Sequence, residues 1–182
     1  MVKTVPIPCT KEEINALIKE AEDNDFYFTL FYVAKTTGRR LGEYYLLKVK
    51  DIDFEKNIML TTILKKRREA QKEAVLTEEA ARVLKQFISR NKLKNEDYVF
   101  HKVCYRSIQY AVASYAKKAG IPHRVSFHNF RHYFITELVR LGWPYDKIVK
   151  LTGHSSPSTL VFYDHAVASD IKADALEALK DI

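Results

Sequence analysis

The stretch TGHSSPSTLVFYDH, residues 152–165, holds His154 nine residues before Tyr163. A phenol titrates near 10 and is a weak nucleophile unaided. Cations gathered around it favour the phenolate and make it an attacking group. The chain offers cations in three other places. In TGRRLGE, residues 37–43, Arg39 and Arg40 follow Gly38, where one helix is expected to stop and another to start. Backbone N–H groups at such a start, with a guanidinium, can cradle a phosphate. Glu43, one turn after Arg40, can hold a nearby basic side chain in place. In ILKKRREAQK, residues 63–72, Lys65, Lys66, Arg67 and Arg68 fall at the expected tip of a β-hairpin, able to push a flexible ammonium into a groove of a polyanion. In SFHNFRHYF, residues 126–134, His128 and Arg131 are three apart and share a helix face. Arg can donate two parallel bonds to a phosphate, and His can donate one or accept a proton. His132 lies on another azimuth and reads as a structural histidine. Taken singly, each basic cluster also reads as a solvated charge run or an exposed turn, and a lone tyrosine as core or surface.

Composition narrows the partner. The 182 residues suit one domain, or one and a small extension. The net charge of +7 favours an anionic partner, nucleic acid first. The longest apolar runs, such as FTLFYVA at 28–34, are too short to span a bilayer, so no membrane is expected. MVKTVPIPCT carries no apolar core of a signal peptide. Cys9 and Cys104 are the only cysteines. They make no disulfide framework and cannot by themselves hold a zinc, so a reduced, cytoplasmic protein is expected. His128 and His132 are four apart, as in a zinc helix, but the HExxH glutamate is missing and Arg131 intervenes. No GxxxxGK[ST] loop is present either. The expectation is therefore chemistry without metal, nucleotide cofactor or small-molecule substrate.

These groups need a scaffold. Thr10 and Glu13 form a capping box that opens a helix through about 21. A nearly all-apolar helix, about 25–36, should be buried and stop at Gly38; a short one follows at about 40–47. KVKDIDF, IMLTTIL and EAVL predict a three-stranded antiparallel sheet over 48–76, with breaks at 54–57 and 65–69. Helices follow at about 78–90, 105–119, 128–141 and 145–151, and an amphipathic one at about 167–180. The 128–141 helix should bury Phe130, Phe134, Leu138 and Leu141. The class is mainly α with one small three-stranded antiparallel sheet.

Arginine after Thr-Gly, a basic hairpin, His-x-x-Arg-His, Gly-His-Ser-Ser and then Tyr, in that order, resemble the tyrosine recombinase (phage-type integrase) family. The resemblance covers about residues 10–166. TGRRLGEYYLLKVKDID resembles its first arginine box, HNFRHYFITEL its second, and LTGHSSPSTLVFYDH its His-to-Tyr segment. It implies that Arg40 is the first catalytic arginine, supported by Glu43. It implies that His128 and Arg131 are the second box, that His154 holds a position filled by His or Trp, and that Tyr163 is the nucleophile. The hairpin lysine is Lys66, with Lys65 second, because the family's flanking Gly is missing and the turn reads one residue longer. Arg39, Arg67 and Arg68 are expected on DNA; Arg39 stands where the family often has an apolar residue.

The resemblance further implies double-stranded DNA as substrate, a 3′-phosphotyrosyl intermediate, no metal or ATP, and self-association as a tetramer on DNA. Residues 1–9 read as a linker and 10–182 as the catalytic domain, without the family's N-terminal core-binding domain. Two alternatives stand beside it: a type IB topoisomerase-like nicking-closing enzyme, and a DNA-binding accessory protein without catalysis.

Overall fold

A computed structural model describes residues 8–65, 68–153 and 160, with backbone alone over 63–65 and 68–70. The chain divides into two compact units, Met1–Tyr133 and Phe134–Ile182. Arg40, His128 and Arg131 all lie in the first.

Local chemistry starts each helix. The Thr10 hydroxyl accepts from Glu13 N, and the Glu13 carboxylate accepts from Thr10 N, opening α1 (Lys11–Lys19) as expected. Asn24 caps α2 (Asp25–Thr37), which ends at Gly38 in the left-handed region, φ 60°. Only glycine enters that region without a Cβ penalty, so the chain turns there before α3 (Leu41–Tyr45). A 3-10 turn, Val49–Asp51, leads into β1 (Ile52–Asp53). Next come β2 (Ile58–Lys65) and β3 (Arg68–Val75), then α4 (Glu78–Arg90), capped by Thr77. The remaining helices are α5 (Tyr105–Lys118), α6 (His128–Arg140) and α7 (Tyr145–Thr152).

The sheet is antiparallel in the order β1-β2-β3. Its register pairs Met59 with Ala74 and Thr61 with Lys72, and runs on to Lys65 with Arg68. Residues 65, 68 and 69, expected in a break, therefore lie in the ladder, and residues 66 and 67 lie outside the described residues. Charge does not end a ladder; a glycine, a proline or a lost partner does, and none stands at 65 or 68.

In the first unit the core is an aromatic mesh. Phe31 stacks on Phe130, ring centroids 5.3 Å apart, and Phe87 on Phe100 at 5.8 Å. Phe26 meets both Phe87 and Phe100 edge-on. Phe130 thus ties the start of α6 to the middle of α2. The second unit has its own small cluster, Ile135, Leu138, Ile148 and Leu160. One core expectation fails there. Leu141 is 73% exposed, because α6 ends at Arg140 and the helical phase that aligned 134, 138 and 141 ends with it. The expected helix at 167–180 lies outside the described residues. Among the described residues, no helix is long and apolar enough to cross a membrane.

Because Phe130 is fully buried, Phe130→Ala should cost roughly 3–5 kcal/mol of unfolding free energy in urea melts. A loss below about 1 kcal/mol would show that the α2–α6 stack is not part of the core.

Candidate active site

The centre of the site is a turn, residues 37–40, held from several sides. Thr37 Oγ1 donates to Val33 O at 2.6 Å, which uses its only proton. The hydroxyl of Tyr44 therefore donates to Thr37 Oγ1, also at 2.6 Å, and its oxygen accepts the backbone N–H of Arg39 at 2.9 Å. Tyr44 is fully buried, and burial pushes its phenol above the ordinary value. Arg131 Nη1 reaches across from α6 and donates to Gly38 O at 3.0 Å. The turn that carries Arg40 is thus fastened to the helix that carries His128 and Arg131.

Arg40 is the exposed member of the group, its side chain 44% accessible. It starts α3, and Glu43 accepts twice from it: from Nη1 at 3.2 Å and from the backbone N at 3.4 Å. Glu43 is itself almost fully buried, so its carboxylate fixes the arginine from below.

Arg39 departs from expectation. It was expected on the DNA-facing surface, yet it is 1% exposed. Its guanidinium turns inward and donates through Nη2 to the carbonyl of Glu73 on β3. Alternation along the turn explains this: Arg40 takes the outward side and leaves its neighbour the inward one. Desolvation lowers the Arg39 pKa, and the nearby Glu43 opposes that fall.

His128 and Arg131 share a helix face as read. Arg131 is fully buried beneath the surface, whereas His128 keeps an exposed edge. Protein atoms around the His128 ring still strip away water and lower its pKa. The charges of Arg131 and Arg40 lower it further. His132 is half-buried, its ring 4.6 Å from that of His128 and nearly perpendicular to it. Burial first, then His128 and Arg131, hold its pKa down to about 4.

A cavity of about 710 Å³ opens beside this centre, lined by Arg40 and His128 together with Tyr105, Arg106, Gln109 and Arg124. The apolar pattern of α5 predicts the helix but does not point to its polar residues as part of a site. The opposite face carried the signal, since Arg106, Gln109 and Tyr110 recur at helical spacing. Arg106 Nε donates to the Tyr110 hydroxyl at 3.1 Å, and Tyr110 is 61% exposed. Lys66, Arg67, His154 and Tyr163 lie outside the described residues, as do the side chains of Lys65 and Arg68. Gly153, at φ 72°, ends α7 immediately before His154.

The described residues thus combine a mainly helical fold with a three-stranded sheet, two arginine-bearing segments joined through Gly38 and a basic cavity beside them. A model of the phage integrase family matches residues 9–169, and the chain belongs to that family. It is 27% identical over 180 residues to a tyrosine recombinase of Pseudothermotoga lettingae, an alignment covering 97% of this chain and 62% of the relative. It is 27% identical over 179 residues to tyrosine recombinase XerA of Pyrococcus furiosus, covering 93% of this chain and 61% of the relative. The crystal structure of XerA recombinase superposes with a TM-score of 0.81 at 25% identity, over 94% of this chain and 65% of that one. The fold also matches XerH site-specific recombinase bound to difH substrate, TM-score 0.73 at 20% identity, over 90% of this chain and 52% of that one. The chain therefore spans under two thirds of the length of these relatives.

Two outcomes check the site's physics. Tyr44→Phe strands the Arg39 N–H in the interior and removes the bond that Thr37 Oγ1 accepts, and should cost about 1–3 kcal/mol in denaturant melts. The second concerns pH. Unfolded His132 titrates near 6.5 while the folded group holds out to about 4. The unfolded state therefore binds the extra proton, so stability present above pH 6.5 is lost as pH falls toward 4. The loss should be on the order of 2–3 kcal/mol, and urea melts of His132→Gln should show a shallower acid slope than the native protein. Equal slopes would show that His132 titrates normally.

Proposed function

We propose that this chain is the catalytic domain of a site-specific DNA recombinase or integrase. It cuts and rejoins double-stranded DNA through a 3′-phosphotyrosyl intermediate. One observation supports the reading: Arg40 and His128 line one open cationic cavity, and Arg131, one turn along from His128, is bonded to the turn that carries Arg40. That arrangement suits one phosphodiester of a duplex lying across the cavity mouth.

In this reading Tyr163 attacks the phosphorus in line. Charge gathers on the non-bridging oxygens of the transition state, where Arg40 and Arg131 supply fixed positive charge. Arg40, held by Glu43, meets the phosphate from the solvent side, and Arg131 forms the cationic floor. His128, with its pKa below the ordinary value, is neutral at physiological pH and so able to take the phenol proton. His154 donates to a phosphate oxygen. Lys66, or Lys65 beside it, protonates the departing 5′ oxygen. The product is a phosphotyrosyl bond and a free 5′-hydroxyl. A 5′-hydroxyl from another strand reverses the step and restores the diester. The covalent bond conserves the energy of the one it replaces, so no nucleotide is consumed.

The α5 face with Arg106, Gln109 and Tyr110 lies against the duplex, together with Arg67 and Arg68. Assembly as a tetramer on DNA brings four such sites together, and the setting is the cytoplasm, on DNA. Residues 10–182 act as one catalytic domain.

A DNA duplex nicked just past the scissile phosphate traps the covalent step. The native chain should give an SDS-stable adduct, Tyr163→Phe none, and Arg131→Ala a rate lower by about 10²–10³-fold. Normal DNA binding with no adduct from the native protein would overturn the proposal in favour of an accessory protein. Relaxation of supercoils without exchange between two sites would favour a nicking-closing enzyme.

A further inference from the structure

Three side chains from two segments of the first unit meet away from any role in the proposed chemistry. Cys9 stands just before α1, Glu13 is its third residue, and His123 lies in the loop that leads to α6. Their ligating atoms all fall within 4.8 Å of one another. His123 Nε2 is 3.2 and 3.1 Å from the two Glu13 carboxylate oxygens. Cys9 is buried, while the Glu13 and His123 side chains are 22% and 16% exposed, so solvent reaches one edge of the trio. We propose that Cys9, Glu13 and His123 bind one zinc ion, with water as the fourth ligand, and that this ion fastens the start of α1 to the loop before α6.

The donor set selects the metal. A thiolate, an imidazole and a carboxylate together suit Zn²⁺, whereas Mg²⁺ and Ca²⁺ want oxygen alone. Zinc bonds of about 2.0–2.3 Å in a tetrahedron put ligand atoms roughly 3.4–3.6 Å apart. The His123–Glu13 spacing is already close to that, and the 4.8 Å limit leaves Cys9 about an ångström to close, within reach of a small side-chain adjustment.

Neighbouring donors are arranged for ligands. The Asn129 side chain hydrogen-bonds to Cys9. Its Oδ1 accepts from Ser126 N at 2.9 Å and from Ser126 Oγ at 3.1 Å, so it is the Nδ2–H that meets the sulfur. An N–H directed at sulfur favours the thiolate. Glu13 Oε2 accepts from Thr10 N at 2.9 Å, which fixes the carboxylate. Outer contacts of this kind orient metal ligands and raise affinity. Without an ion, burial and then the Glu13 charge push the Cys9 thiol up to about 12. Zn²⁺ binding forms the Zn–S bond and releases the thiol proton to solvent, so affinity rises with pH.

The consequence is mechanical. Asn129 sits beside His128 in α6, so an ion at Cys9 steadies the first turn of the helix that carries the second arginine box. The ion takes no part in phosphoryl transfer, and the site stands whether or not the recombinase reading holds.

The whole chain, stripped with EDTA and dialysed, is titrated with Zn²⁺ or Co²⁺ in the absence of DNA. One zinc per chain should bind, and Tm should rise by about 5–10 °C once Zn²⁺ exceeds Kd a hundredfold. Co²⁺ should give a near-ultraviolet sulfur-to-metal band. Cys9→Ser and His123→Asn should each remove both effects, and Cys104→Ser neither. If a variant fails to fold, the metal content and Co²⁺ spectrum of the native chain decide alone. No bound zinc, a Tm rise that survives Cys9→Ser, or a Co²⁺ spectrum without the sulfur band would leave a His–Glu ion pair only and overturn the site.

Discussion

One hydrogen bond organises the functional half of this molecule: Arg131 Nη1 to the carbonyl of Gly38. It joins residues 93 apart in sequence, from two helices with different partners. Gly38 can offer that carbonyl because its left-handed conformation ends α2 and turns the chain. The same turn delivers Arg40 to solvent and Arg39 to the interior. The bond is buried, where a charge-assisted donor to a carbonyl is stronger than at a surface. Neither arginine box is therefore set independently. The position of Arg40 depends on α6, and that of Arg131 depends on the end of α2.

Concentrating cations carries an electrostatic cost, and the structure limits it in three ways. Glu43 neutralises Arg40 from a buried position. The Gly38 carbonyl dipole stabilises Arg131 without adding a negative charge that would repel a phosphate. The two histidines resist protonation, since burial and the nearby arginines hold both below their ordinary pKa. The result is a site with two firm positive charges and two neutral bases. A phosphodiester needs the first pair and a phenol proton needs one of the second. A cluster of four cations would bind an anion more strongly but would have no group left to accept a proton.

Much of this was legible in the sequence, for identifiable reasons. Gly38 and the Thr10–Glu13 box are local signals, decided by backbone conformation and capping within four residues, and both helix ends fall where they were read. The helical pairing of His128 with Arg131 rests on 3.6-residue periodicity and holds. Three features were not legible. The direction of Arg39 depends on which of two adjacent arginines faces the core, and a charged residue type argues for the wrong one. The ladder to Lys65 and Arg68 depends on pairing, which charge does not reveal. The exposure of Leu141 depends on where a helix stops, the least determined feature of any amphipathic pattern. The α5 polar face and the Tyr44 hydroxyl were visible as residues, but their meaning came only from what stands opposite them.

The burial of Arg39 is expensive. Among the described residues Nε and Nη1 have no hydrogen-bond partner, and a guanidinium taken out of water without full pairing costs several kcal/mol. An apolar side chain would fill the same space without that cost. What the arginine adds is reach: its Nη2 meets Glu73 O on β3, 34 residues away, and so links the turn of Arg40 to the hairpin. The turn is then bonded to α6 on one side through Gly38 and to the sheet on the other through Arg39. Two adjacent residues of one turn thereby couple the helix of the second arginine box to the strand that leads out of the basic hairpin.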